Sequence, residues 1–277
     1  MTLVSMIKTF FSSRRNPIVV FVRAAITRFQ GYLSAKRVGA SLERHQEALA
    51  LAWPAEGSNS FKEYFDSVTT GHGIFKWEHY FEIFKRHLEK FKNREVHILE
   101  VGIYSGGSLE MWKACFGPKC HVYGLDIEPH CQAYESERIK VFIGSQGDAL
   151  YLDELKRKIP KLDIVVDDGS HRPAHQILTL QKLLPHLRAG GVYICEDVHG
   201  GTNPFMTFMQ GLSRGLNDSH PVSIPGSGDI KSETTSFQKH IKSICFYPFA
   251  TVVERTESPV NELMAFRHGT QWKPPGA

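Results

Sequence analysis

His97-Ile98-Leu99-Glu100-Val101-Gly102-Ile103-Tyr104-Ser105-Gly106-Gly107-Ser108 is the stretch whose reading decides the fold. An apolar run of strand length enters a glycine-rich turn, and a helical pattern over 108–115 follows it. Gly102 permits the tight turn, while Gly106 and Gly107 let the backbone come close to a ligand. The helix start adds unpaired N–H groups aimed at the same place. A strand, turn and helix of this kind can hold a nucleotide-like molecule.

Working outward, short apolar runs alternate with longer amphipathic ones, which predicts βαβ units on a parallel sheet. Strands are expected at 121–126, 140–143, 162–167 and 191–196, with helices at 151–158 and 174–187 between them. The polar, Gly/Ser-rich residues 217–236 read as a long loop or mobile lid, and 241–247 with 251–254 as a closing hairpin. Upstream, the stripe Trp77, Tyr80, Phe81, Phe84, Leu88, Phe91 predicts a core-packing helix over 76–92. A further helical pattern at 41–53 is broken by the Pro/Gly/Ser stretch 54–60, which places a boundary between a partly helical extension, 1–58, and a main domain, 59–277.

The extension is basic. Residues 1–42 hold Lys8, Arg14, Arg15, Arg23, Arg28, Lys36 and Arg37 and no acid. Arginines interrupt the apolar runs too often for a spanning helix, which needs roughly 20 apolar residues. A packing or loosely ordered extension is the first reading; organelle targeting and contact with a membrane surface or a partner stay open. Over the whole chain a formal charge of +4, with Lys and Arg spread rather than clustered, disfavours nucleic acid as a partner. Five cysteines without a C-x-x-C pair suggest neither a disulfide framework nor structural zinc, so reduced thiols in the cytoplasm are expected.

Two details separate the candidate ligands. The order E-x-G-x-x-x-G-G is not the G-x-G-x-x-G that seats a pyrophosphate, and Glu100 would repel one. A carboxylate there suits the ammonium group of S-adenosylmethionine better than a dinucleotide. Asp126, 24 positions after Gly102, stands where an acid accepts from a ribose diol. A turn with a capping Asp126 is the plainer alternative.

The second chemical signal is Asp163-Ile164-Val165-Val166-Asp167-Asp168-Gly169-Ser170-His171, echoed one strand later by Cys195-Glu196-Asp197-Val198-His199. Carboxylates ending two adjacent strands are costly in a core and mark a site. On a parallel sheet Asp168, Glu196 and Asp197 point to one edge, an oxygen-rich set suited to Mg²⁺ or a similar divalent ion. Asp167 is assigned a structural role. Glu196 and Asp197 can share an ion only if the strand ends or twists between them. His171 is placed to act as a base beside a metal-bound hydroxyl, with a helix-opening residue as its plainer reading. His175, His186 and His199 carry no assigned role.

Taken in order, L-E-V-G-I-x-x-G-G-S-L-x-M-W, Y-G-L-D-I, V-D-D-G-S-H and G-G-V-Y-I-x-E-D resemble the macrocin O-methyltransferase type, with Phe75-Lys76-Trp77 and His79-Tyr80 matching its lead-in. Proteins labelled cephalosporin hydroxylases are related. The resemblance implies a Rossmann-like class I methyltransferase: a mostly parallel seven-stranded sheet with helices on both faces, here with an N-terminal helical extension. It implies Asp168, Glu196 and Asp197 as metal ligands, His171 as general base, and Glu100, Gly102 and Asp126 as cofactor positions, to which the reading of the turn adds Gly106. Gly144-Ser145-Gln146 stands where the family often has G-D-Q, making Gln146 the candidate for the adenine side. The expected reaction is metal-assisted methylation of a hydroxyl on a sugar or other polyol-bearing small molecule, by a homo-oligomer. An NAD(P)-dependent oxidoreductase and a non-catalytic scaffold are the alternatives.

Overall fold

The computed structural model describes residues 17–44 and 57–270. The chain divides into two compact units, Met1–Glu56 and Gly57–Ala277. In the first, α1 (Pro17–Arg44) is a single helix, and Phe21, Ile26, Phe29, Tyr32 and Leu33 on it are exposed. The helix expected at 41–53 is therefore the end of a longer one as far as Arg44, and the rest of it lies outside the described residues. Among the described residues no helix is long and apolar enough to cross a membrane.

The second unit runs α2 (Ser60–Ser67), α3 (Tyr80–Leu88), β1 (Val96–Val101), α4 (Gly107–Phe116), β2 (Cys120–Asp126), β3 (Ile139–Ile143), α5 (Ala149–Lys158), β4 (Leu162–Asp167), α6 (Pro173–Leu183), β5 (Leu187–Cys195) and α7 (Pro204–Ser213). It continues through β6 (Val222–Ser223), β7 (Ile230–Glu233), α8 (Ser236–His240), β8 (Ile241–Tyr247), β9 (Ala250–Arg255) and β10 (Glu262–Ala265). Seven strands form one sheet in the order β3-β2-β1-β4-β5-β9-β8. The pairs among β1 to β5 are parallel, and β9 enters antiparallel between β5 and β8.

Alternation along the strands explains why helices cover both faces. Ile98, Ile164, Val166, Val192 and Ile194 pack with Phe61, Phe84 and Trp112. Their neighbours Leu99, Val101, Val165 and Tyr193 pack with Leu152, Leu155, Leu180 and Phe205 on the other face. Chain order reverses between β1 and β4, the place where sheets of this class open a crevice at the carboxyl ends of their strands.

Two expectations need correction. Residues 217–236 are not a structureless lid: β6 and β7 pair with each other, and β7 pairs with β10, in a separate three-stranded antiparallel sheet. Its strands are short and mostly exposed, so no apolar alternation announces them. The helix expected over 76–92 starts only at Tyr80 and tightens into a 3-10 turn at Glu89–Phe91. Residues before it are drawn into the site described next.

Candidate active site

A cleft of about 1130 Å³ opens at the carboxyl edge of β1, β2, β3 and β4. Gly102 leaves β1 at φ +91°, and a Cβ there would lie 2.2 Å from the carbonyl oxygen of Asp168. Gly106 lies at φ +77° against the ring of Tyr134, and a Cβ on Gly107 would meet the Gly73 carbonyl at 2.4 Å. Both left-handed positions require glycine sterically, and the turn is held shut by backbone on its far side. Asp126 ends β2 in the cleft wall; its Oδ2 accepts from the N–H groups of Ile103 and Tyr104 at 2.7 and 3.2 Å.

Of the expected cofactor residues, Glu100 stands behind the wall, whereas Gln146 lines the cleft with its amide committed to the protein. Glu100 is fully buried, its Oε2 accepting from Ser108 Oγ at 2.7 Å and Trp112 Nε1 at 3.0 Å. Gln146 spends both amide hydrogens inside the protein, on Asp167 Oδ1 at 2.9 Å and Thr179 Oγ1 at 3.1 Å, while its Oε1 accepts from Ser170 N–H at 2.5 Å. Tyr193 completes the cage around Asp167 by donating to Oδ2 at 2.9 Å. Burial pushes the Asp167 carboxyl up to about 7 despite those donors. Asp167 is thus a structural carboxylate, as the sequence suggested.

Past the ends of β4 and β5, Asp168, His171 and Asp197 meet in the wall of the cleft. One ligand atom each from Asp168, His171 and Asp197 lies within 4.8 Å of the others. β5 ends at Cys195, and Asp197 turns into the left-handed region at φ +53°, so Glu196 and Asp197 need not point to opposite faces of a strand. His171 is left-handed as well, at φ +55°. Such conformations cost of order 1–3 kcal/mol each and persist only where the surroundings enforce them. Here the Tyr80 hydroxyl accepts from Asp197 N–H at 3.1 Å, and Trp77 Nε1 donates to Asp197 Oδ1 at 2.9 Å.

Glu196 sits deeper, 1% exposed. Lys76 reaches into the same place: its Nζ donates to Asp168 Oδ2 at 2.5 Å and Glu196 Oε2 at 2.9 Å, with Glu100 Oε1 at 3.4 Å. Burial alone would depress that ammonium, but Glu196, Asp168 and Glu100 together outweigh it and hold it well above the usual lysine range. Burial, with Asp168 and Glu100 adding to it, pushes the Glu196 carboxyl well above its usual range, burial raises Glu100 too, and Glu196 Oε1 is buried with no hydrogen-bond partner. Hard oxygen donors, crowded acids held above their usual range and an orphaned carboxylate oxygen all fit a divalent cation of the Mg²⁺ kind.

Lys76, Trp77 and Tyr80 are the site residues that periodicity missed, since the aromatic stripe reads as core. The signal was the lead-in Phe75-Lys76-Trp77, whose lysine stands alone among aromatics. His175, given no role, lines the cleft with Nδ1 2.9 Å from Ser170 Oγ.

No protein-family model matches the chain. Over 199 residues it is 38% identical to the demethylmacrocin O-methyltransferase of Streptomyces fradiae, covering 68% of this chain and 48% of that protein. Over 122 residues it is 41% identical to the mycinamicin VI 2''-O-methyltransferase of Micromonospora griseorubida, covering 42% and 30%. The chain spans about half the length, or less, of these curated relatives. Among solved structures, the MycE methyltransferase of the mycinamycin biosynthetic pathway in complex with Mg and SAH superposes with a TM-score of 0.57 at 27% identity, covering 72% of this chain and 54% of that one. The chain is a homologue of the macrocin and mycinamicin O-methyltransferases, and its sheet is the Rossmann-like methyltransferase fold.

Proposed function

We propose that the chain is an S-adenosylmethionine-dependent, divalent-cation-assisted O-methyltransferase acting on a hydroxyl of a sugar or comparable polyol-bearing small molecule, with 59–277 as its catalytic domain. One observation carries the reading: Asp168, His171 and Asp197, the candidate metal cluster, all line the same cleft as the glycine turn, so donor and acceptor sites share an edge. The relatives named above are O-methyltransferases, and one was solved with Mg and SAH.

In this reading Gly102 and Gly106 admit the cofactor to the turn, and Asp126, its Oδ2 held by the turn's N–H groups, offers Oδ1 to the ribose diol. Glu100 contributes negative charge from beneath the turn, and Gln146 holds the adenine-side wall through Ser170. Asp168, Glu196 and Asp197 would hold the cation, which when bound acidifies an acceptor hydroxyl and offsets the charge it develops. His171 receives the hydroxyl proton on a ring nitrogen; its Nε2 lies 3.8 Å from Asp197 Oδ2, which steadies the resulting imidazolium. The wall formed by Gly102 and Asp168 aligns the sulfonium methyl with the acceptor.

The test is titration calorimetry of S-adenosylmethionine into wild type and Asp168→Ala, beside methyl transfer assayed with and without Mg²⁺. Cofactor binding to both proteins, with turnover confined to wild type plus Mg²⁺, is expected. A variant that turns over normally at saturation but binds cofactor poorly would overturn the division of roles. A wild type that binds no S-adenosylmethionine would overturn the reading itself.

We also propose that α1 lies on an anionic lipid surface. Ile26, Phe29 and Leu33 recur at helical spacing with Phe21 and Tyr32 beside them, all exposed, and the first acid in the helix is Glu43. Co-sedimentation with phosphatidylserine vesicles but not phosphatidylcholine vesicles, lost on deleting residues 1–44, is the expected result.

A further inference from the structure

Beside Asp197, outside the cleft, three rings meet in a corner. Trp77 and Phe249 lie 5.2 Å apart at 47°, His199 meets Phe249 at 4.7 Å and 87°, and Trp77 faces His199 at 6.4 Å and 81°. Core rings in this protein are closed off; Trp77 and Phe249 remain 47% and 40% exposed. They are nonetheless held. Trp77 is tied to Asp197 through its indole N–H, and the Phe249 carbonyl accepts from Val198 N–H at 2.8 Å with the Tyr80 hydroxyl 3.0 Å away. Phe249 itself is fixed in the left-handed region at φ +59°. Rigid, half-open aromatic surface loses little entropy when something settles on it.

The two oxygens of Asp197 separate this corner from the cofactor cleft. Oδ2 faces His171, which lines the cleft. Oδ1 faces Trp77, Tyr80 and His199, the last at 3.7 Å. Methyl transfer is in line, so the acceptor oxygen approaches the acids from the side the sulfonium does not occupy. The ring corner lies on the Oδ1 side of Asp197, away from His171.

We infer that Trp77, Phe249 and His199 form the acceptor subsite, which takes a pyranose ring by its C–H face and turns a hydroxyl toward Asp197. The inference rests on the methyltransferase reading above. The angles favour a ligand class: no two of the three rings are parallel, so a flat aromatic diol can stack on only one of them at a time. A puckered ring places C–H groups against tilted faces and leaves its hydroxyls free for the acids.

The experiment is saturation-transfer NMR with methyl β-D-glucopyranoside, and with catechol as the flat alternative, on the protein holding S-adenosylhomocysteine and Mg²⁺. The glycoside's ring C–H protons should receive saturation, more strongly than the catechol protons. Phe249→Leu and His199→Leu should each weaken glycoside binding roughly two- to tenfold, the range expected for one aromatic contact. Affinity for S-adenosylhomocysteine, measured on the same samples, should stay at the wild-type value. His199 is half-exposed, so its variant keeps the test alive if Phe249→Leu fails to fold. Unchanged glycoside binding in the folded variants, or preference for catechol in wild type, overturns the subsite. Failure of wild type to bind S-adenosylhomocysteine would instead sink the methyltransferase reading, so the two failures are distinguishable.

Discussion

Replacing Lys76 by methionine keeps most of the side-chain volume and removes the ammonium from among three carboxylates. Its Nζ lies 2.5, 2.9 and 3.4 Å from Asp168, Glu196 and Glu100, whose side chains are 20%, 1% and 0% exposed. Removing one partner of a buried ion pair costs about 3–5 kcal/mol, because the other charge stays behind unpaired. Partial solvation of Asp168 argues for the lower end, about 3 kcal/mol. For a folded unit of this size each kcal/mol moves Tm by about 2–4 °C, so Lys76→Met should melt about 6–12 °C below wild type in EDTA. A dication can replace the lost positive charge, so the variant should gain more from Mg²⁺ than wild type does. Scanning fluorimetry of both proteins in EDTA and in Mg²⁺ measures both quantities. A variant melting within about 2 °C of wild type in EDTA, or gaining no more from Mg²⁺, would refute the view that Lys76 balances this cluster.

Gly102→Ala forces a Cβ into the Asp168 carbonyl at φ +91°, so a loss of about 3 kcal/mol or more in urea unfolding, with much weaker S-adenosylmethionine binding, is expected; wild-type affinity would contradict the turn assignment. Trp112→Phe removes the donor to Glu100 Oε2 inside the core and should cost about 1–3 kcal/mol by the same measurement, against near-neutrality if that bond were dispensable. Glu254, hydrogen-bonded to His87 and Ser243, is held down to about 2. A depressed carboxyl contributes stability above its unfolded value near 4.5 and loses it as pH falls toward 2. The melting gap between wild type and Glu254→Gln should therefore narrow between pH 4.5 and 2, and a constant gap would show that the pair is inert.

What the sequence disclosed and what it hid differ in range. The strand, turn and helix around Gly102 are local, and local pattern found them. Asp168, His171 and Asp197 were legible because charged residues ending an apolar strand have few structural uses. Lys76 was not, since its partners lie 92 and 120 positions away and its neighbours spell an aromatic helix. Gln146 and Glu100 were found as positions but not as orientations. Which way a side chain turns at the end of a strand depends on Asp167, Thr179, Ser108 and Trp112, none of them adjacent in sequence. Strands β6 and β7 escaped because two- and four-residue segments facing mostly solvent carry no period to read.

The place of β9 in the sheet also has a consequence for how the protein is made. Its partner β5 is complete at Cys195, but β9 begins only at Ala250, 55 residues later. At about 5–20 residues per second, a ribosome leaves Val192 and Ile194 on an open sheet edge for roughly 3–11 s. An unpaired apolar edge invites pairing with other nascent chains. Vectorial synthesis therefore finishes β1, β4 and β5 before the strand that covers the open side of β5 exists, so yield should depend on translation speed across 196–250 more than on codons elsewhere.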